Sequence, residues 1–215
     1  MTEHAKKGQQ SQDEPEERPA PPPERESVTE RTVRIGGEDV AYRAVASTTT
    51  LRSEEGEPRA SVFAVAYSRT DAGDPTTRPL TFVFNGGPGS SSAWLHMGLV
   101  GPRRVDMPDG PVAMPAPYRV VDNDDSLLDV SDLVFIDPIS TGYSRPAPGQ
   151  EAKQFHGFKE DLESVGEFIR LYTSRAGRWG SPKFLVGESY GTTRAAGLAR
   201  HLQERHGLYV CGVGL

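Results

Sequence analysis

The sequence predicts an α/β protein, a three-layer sandwich built on a mostly parallel sheet, and three observations carry that assignment. Short, nearly unbroken apolar runs at 80–84, 133–137 and 183–186 have the length and composition of strands buried on both faces. Two earlier stretches, 31–46 and 60–69, alternate apolar and polar residues like paired antiparallel strands. The later strands are interleaved with segments of helical spacing, so strands give way to strand–helix alternation.

In chain order, residues 1–30 come first. They hold almost no large apolar side chain, are rich in Glu, Gln, Lys, Arg and Pro, and include Pro21-Pro22-Pro23. Such a segment buries too little apolar surface to offset its ordering entropy and reads as a disordered polar tail. A single domain is expected over 31–215. In its second strand Val62, Ala64 and Ala66 face one side and Phe63, Val65 and Tyr67 the other, with a charged loop at 53–59 between the strand pair. The run at 80–84 breaks into the glycine-rich loop Asn85-Gly86-Gly87-Pro88-Gly89-Ser90-Ser91-Ser92. After the strand at 133–137, Leu162, Val165, Phe168, Ile169 and Tyr172 recur at helical intervals. The strand at 183–186 leads into Gly187-Glu188-Ser189-Tyr190-Gly191, then an alanine- and leucine-rich helix at 192–203, and a last parallel strand at 208–215.

Composition excludes several functions. The net charge of −6 and the absence of a basic stripe argue against nucleic acid as a partner. No 18-residue apolar run and no signal-peptide core are visible, so neither membrane insertion nor secretion is indicated. With a single cysteine, Cys211, an internal disulfide is excluded and a cytoplasmic location is expected. Asp132 and Asp137 flank a strand, but no third ligand sits at a suitable spacing; strand-end caps and turn formers are expected, with no metal and no cofactor. Arg103-Arg104 reads as a solvated loop pair.

The chemistry lies in the two glycine-bearing turns. G-x-S-x-G between a strand and a helix is the pattern of a nucleophile elbow, a sharp turn that holds the serine in a strained conformation. Glycines two residues to either side relieve the crowding where strand and helix converge. One donor for the oxygen that becomes negative on attack is the amide after the nucleophile, here that of Tyr190. The other comes from a loop after an early strand, where Gly86 and Gly87 keep their N–H groups and allow close approach. A phosphate loop is the rival reading, but G-x-G-x-x-G and a Gly-Lys-Ser/Thr ending are both absent.

With these two turns, Gly101-Pro102 and Val134-Phe135-Ile136-Asp137-Pro138-Ile139-Ser140-Thr141-Gly142-Tyr143-Ser144, the chain resembles the serine carboxypeptidase family of α/β-hydrolases, in order and spacing, from about residue 60 onward. The resemblance implies that Ser189 is the acylated nucleophile and that the Gly87 and Tyr190 amides form the oxyanion hole. It further implies that Asn85 and Glu188 bind the free C-terminal carboxylate of a peptide substrate. An amide donor and a protonated carboxyl can both hydrogen-bond a carboxylate, whereas an ionised Glu would repel it. Activity favoured at mildly acidic pH is the expectation. The chain departs from the family pattern at four places: Val83 for a tryptophan, Ser90 for a cysteine, Leu99-Val100-Gly101-Pro102 where a second Glu usually precedes Leu-Gly-Pro, and Thr193-Arg194-Ala195-Ala196 for His-Tyr-Val-Pro.

The α/β-hydrolase triad runs Ser, then Asp or Glu, then His. Of the histidines beyond Ser189, His201 lies roughly 18 Å along the elbow helix and His206 beyond it. His4, His96 and His156 read as surface or packing residues. The expectation is therefore a sheet truncated after the strand that follows the elbow helix, lacking the triad Asp and His, with an apolar edge open to self-association or to a complementing C-terminal half. Three readings stay open: a carboxypeptidase-type hydrolase, an acyltransferase or esterase of the same chemistry, and a non-catalytic fragment or interaction module.

Overall fold

A computed structural model describes residues 20, 22–108, 110 and 116–215. Most of the predicted polar tail, residues 1–19 and 21, lies outside the described residues. The tail boundary expected at residue 30 moves. Strand β1 spans Glu26–Ile35 and pairs antiparallel with β2 (Glu38–Arg52) from Glu26 against Ser47 onward. Residues 26–30 are all exposed, so their side chains carry no apolar signal; they join the strand through the backbone ladder.

The stretch 31–46 is likewise not one strand. It folds back at Gly36-Gly37, both at positive φ (57° and 85°), the two-residue hairpin geometry that matches strand twist and that glycine adopts without strain. β3 (Pro58–Arg69) continues the meander, and its buried Val62, Ala64 and Ala66 form the expected core-facing row.

Then come β4 (Leu80–Phe84), a short helix α1 (Ala93–Leu95) running into a π-helical turn at His96–Val100, and a two-stranded sheet of β5 (Arg103–Val105) and β6 (Val120–Asp122). After a 3₁₀ turn at Leu127–Asp129 follow β7 (Asp132–Ile136), β8 (Arg145–Pro146), helix α2 (Phe158–Arg175), β9 (Lys183–Gly187), helix α3 (Tyr190–His206) and β10 (Gly212–Gly214).

The main sheet has the order β1-β2-β3-β7-β4-β9-β10, with β8 on β3. β7, β4, β9 and β10 are parallel, while β1 to β3 are antiparallel. One face is covered by α2 and α3, whose Leu162, Val165, Phe168, Ile169, Leu198 and Leu202 pack on Phe82, Phe84 and Leu185. On the other face Leu95, Val100 and Leu128 from the short helical turns close over Val83, Leu133 and Phe135. α3 ends on Gly207 at φ 62°, where the Leu208 N–H reaches the Leu202 carbonyl at 3.0 Å and buries Leu208. That stop shortens the last strand from the expected 208–215 to three residues, paired among the described residues with β9 alone and leaving Val213 and Leu215 40% and 75% exposed.

The two aspartates at the ends of β7 act as the sequence suggests. Asp132 is buried between Arg78 (2.9 Å) and Arg178 (2.6 Å) and also accepts the Arg69 N–H. Asp137 accepts the Ser92 and Tyr143 N–H groups, fixing the far end of the glycine-rich loop to the turn after β7. Among the described residues no cluster of His, Cys, Asp and Glu could hold a metal ion, and no helix is long and apolar enough to cross a membrane.

Candidate active site

Ser189 stands between β9 and α3 at φ 56°, ψ −124°, a backbone region costly for a side chain-bearing residue. The flanking glycines show why the pattern is needed. A Cβ on Gly187 would lie 2.0 Å from the Gly191 carbonyl oxygen, and one on Gly191 would lie 2.7 Å from that of Phe84. Strand and helix therefore leave the serine on a tight corner, closed by the Gly191 N–H to the Glu188 carbonyl (2.8 Å) and the Thr192 N–H and Oγ1 to the Ser189 carbonyl (3.0 and 2.8 Å). Ser189 itself is exposed.

The glycine-rich loop lies directly on this corner. At Gly86 a Cβ would meet the Tyr190 nitrogen at 2.4 Å and the Gly191 nitrogen at 2.6 Å, so only glycine permits the approach. Gly87 follows at φ 108° on the exposed rim. Among the described residues neither the Gly87 nor the Tyr190 amide donates to an intramolecular acceptor. Asn85 is fully buried; its Oδ1 accepts the Leu95 N–H (3.1 Å) and its Nδ2 donates to Glu188 Oε2 (3.0 Å), which orients the amide toward the exposed Glu188 carboxylate. Ser189, Gly87, Tyr190, Asn85 and Glu188 are thus brought together from positions about a hundred residues apart. Leu99, at the position where the resemblance expects a second Glu, is exposed and Val100 beside it is buried in the core; among the described residues Asn85 is the side chain that hydrogen-bonds Glu188.

None of the described histidines hydrogen-bonds Ser189. His96 stacks on Phe135 (4.4 Å between centroids), and its Nε2 lies 2.6 Å from the Tyr67 hydroxyl. Burial lowers His96 to about 4 and pushes Tyr67 up, so the phenol donates and the neutral ring accepts. His156 contacts the Ser140 hydroxyl (3.1 Å), in a turn where Ser140 also has positive φ, 72°. His201 and His206 pack against each other on α3. His4 lies outside the described residues.

Beside Tyr190 opens a cavity of about 270 Å³, lined by Pro88, Gly89, Ile139, Phe155, His156 and Arg194. A larger charged depression of about 900 Å³ lies toward the other end of α3, bordered by Arg52, Glu163, Arg205 and His206. Its size does not make it the candidate site, because neither Ser189 nor the glycine-rich loop lines it.

Two neighbours of this site escape sequence reasoning. Arg194 is only 1% exposed, ion-paired through Nε to Asp161 Oδ2 at 2.8 Å, and donates from Nη1 to the Asn85 carbonyl at 2.6 Å. Asp161 belongs to the first turn of α2; burial raises it, against the opposing pull of the Arg194 guanidinium and the Tyr190 hydroxyl. The available signal was phase. Arg194 shares the i, i+4, i+8 row of Leu198 and Leu202, a charge on the core-facing stripe.

The sequence profile described as Serine carboxypeptidase matches residues 52–207. Pheromone-processing carboxypeptidase KEX1 of Saccharomyces cerevisiae is 35% identical over 121 residues, which cover 54% of this chain and 15% of that protein. The solved structure of KEX1(delta)p, a prohormone-processing carboxypeptidase from Saccharomyces cerevisiae, matches with a TM-score of 0.54 at 24% identity, over 80% of this chain and 37% of that one. The chain spans well under half the length of these relatives. The structural match is one of fold, that of the α/β-hydrolases.

Proposed function

The chain belongs to the serine carboxypeptidase family, and from that premise we propose that Ser189 is the nucleophile of an acyl-transfer site that releases the C-terminal residue of peptides. The observation that carries the proposal is the seating of the glycine-rich loop on the elbow, with Gly86 too close to the Tyr190 and Gly191 nitrogens for any side chain. That approach supports a reading in which the Gly87 and Tyr190 amides, neither of them engaged by another acceptor among the described residues, serve the serine.

In the proposed reaction Ser189 Oγ bonds to the carbonyl carbon of the last peptide link and gives its proton to a base. The carbonyl oxygen, now negative, is held by the two amides. The C–N bond breaks, the terminal residue leaves as a protonated amine, and water then cleaves the acyl-serine. Asn85 Nδ2 and the Glu188 side chain receive the substrate's terminal carboxylate, which restricts cleavage to the chain end; repulsion between two ionised carboxylates is the reason mildly acidic pH is favoured. A rate rising steadily to about pH 9 would refute this role for Glu188.

The base and its orienting carboxylate are not among the described neighbours of Ser189. A second polypeptide segment that adds to the β10 edge, or association between copies through that edge, would supply them; both are part of the proposal. A cytoplasmic site of action is proposed on the strength of the single cysteine, and cell fractionation tests it.

The deciding experiment treats the purified chain with a fluorescent fluorophosphonate, with Ser189→Ala as control, and then offers peptides with free or amidated C-termini. Labelling lost in the variant, with cleavage confined to free carboxylates, is the expected result. No labelling of a folded chain would make it non-catalytic alone. Equal turnover of amidated peptides, or transfer to an added alcohol, would move the assignment to an esterase or acyltransferase.

A further inference from the structure

A guanidinium removed from water loses several kcal/mol of hydration, and a buried ion pair recovers this only with good geometry and further hydrogen bonds. Replacing such a pair by apolar residues of equal volume is often neutral or stabilising, so stability alone does not account for Arg194 and Asp161. What the pair touches does.

Arg194 sits one helical turn after Tyr190, and long helical side chains lean toward the N-terminus, so its head returns to the elbow. There it makes four contacts. Nε meets Asp161 Oδ2 at 2.8 Å, Nη1 donates to the Asn85 carbonyl at 2.6 Å, and the guanidinium lies 5.2 Å from the Tyr190 ring centre and 5.5 Å from that of Phe84. Asn85 opens the glycine-rich loop two residues before Gly87, and Tyr190 carries the second amide. The Tyr190 hydroxyl also favours the ionised form of the Asp161 carboxyl.

We infer that Arg194, anchored by Asp161, is a positioning residue that holds the Asn85–Gly87 backbone and Tyr190 in register, and so fixes the spacing of the two oxyanion amides. The inference rests on the proposed function for the role of those amides; the geometric coupling stands apart from it. A lysine in its place keeps the charge but loses the planar fork that reaches two acceptors at once.

The test compares the full chain with Arg194→Lys and Asp161→Asn by two readouts. In amide hydrogen exchange, the Ser90 and Leu95 N–H groups report the loop, since they bond the Gly86 carbonyl and Asn85 Oδ1. In Arg194→Lys these amides are expected to exchange at least about tenfold faster, while the β2–β3 ladder is unchanged. In fluorophosphonate inactivation, kinact is expected to fall about 10- to 100-fold with KI within about threefold, because removing an oxyanion donor outright costs about 10²- to 10³-fold. Asp161→Asn, which leaves the Asn85 contact in place, is expected to shift both readouts in the same direction by less. If Arg194→Lys does not fold, that variant decides alone.

Exchange that accelerates evenly through the domain, unchanged loop amides, or a change confined to KI would overturn the inference. If the wild-type chain is not labelled at all, the catalytic reading fails and the exchange data alone decide the positioning role.

Discussion

Lowering the pH below about 6.5 should destabilise this protein through His96. The ring is sandwiched between Phe135 and Tyr67 and bonded to the Tyr67 hydroxyl, and burial lowers its pKa from 6.5 to about 4. Above about pH 6.5 the ring is neutral in both folded and unfolded chains and contributes no pH dependence. Below it the unfolded chain takes up the proton and the folded one does not, so stability is lost as pH falls toward 4. With about 1.36 kcal/mol per pKa unit, the loss is about 1.4 kcal/mol at pH 5.5 and about 3 kcal/mol at pH 4. Against a typical total of about 5–15 kcal/mol this is a substantial fraction. Urea unfolding followed by tryptophan fluorescence between about pH 7.5 and pH 4.5 measures it, with His96→Gln as reference, since the amide can accept from Tyr67 but does not titrate. The wild-type curve should fall below the variant's by these amounts. Parallel curves would refute the burial argument. The effect also opposes the acidic preference proposed for Glu188, so a falling rate below about pH 5.5 should accompany unfolding.

Further expectations follow from single contacts. Gly86→Ala must move the loop about 1 Å to bring the 2.4 Å Cβ approach to an ordinary 3.4 Å; overpacking predicts about 1–3 kcal/mol of destabilisation, and labelling of Ser189 should drop about a hundredfold in the folded fraction. Ser189→Gly should be more stable than Ser189→Ala by about 1 kcal/mol in urea unfolding, because glycine relieves the strain at φ 56° that alanine retains. Asp132→Ala strands the Arg78 and Arg178 guanidinium groups and should cost about 3–5 kcal/mol in the same assay, whereas exposed Asp39→Ala, facing Arg34 at 3.6 Å, should change it by less than about 1 kcal/mol.

How much was readable in advance differs by element. The core strands β4, β7 and β9 were legible because an apolar run bounded by polar residues has few other uses in a chain of this composition. The elbow was legible because its glycines answer a local steric demand that no other residue meets. β1 was obscured by its exposed face, and its N-terminal residues earn their place through ladder bonds that any side chain permits. The Gly36-Gly37 hairpin is a turn signal that the apolar–polar alternation across 31–46 masks. The length expected of the last strand failed for a different reason: Leu208 closes the α3 terminus instead of pairing, a choice made by the helix cap and not by the apolar pattern.

By itself the sequence determined the class of fold, the order along the chain of its buried strands and the two glycine-bearing turns that carry the proposed nucleophile and amide donors, because each depends on residue type over a few neighbouring positions. Only the tertiary structure decided that Asn85 faces Glu188, that Val100 turns into the core, that His96 belongs to Tyr67 and Phe135, and that Arg194 reaches back beneath the elbow to Asp161. Those contacts join residues far apart in the chain, and distance through space is fixed by the packing of helices on the sheet, which no local pattern encodes.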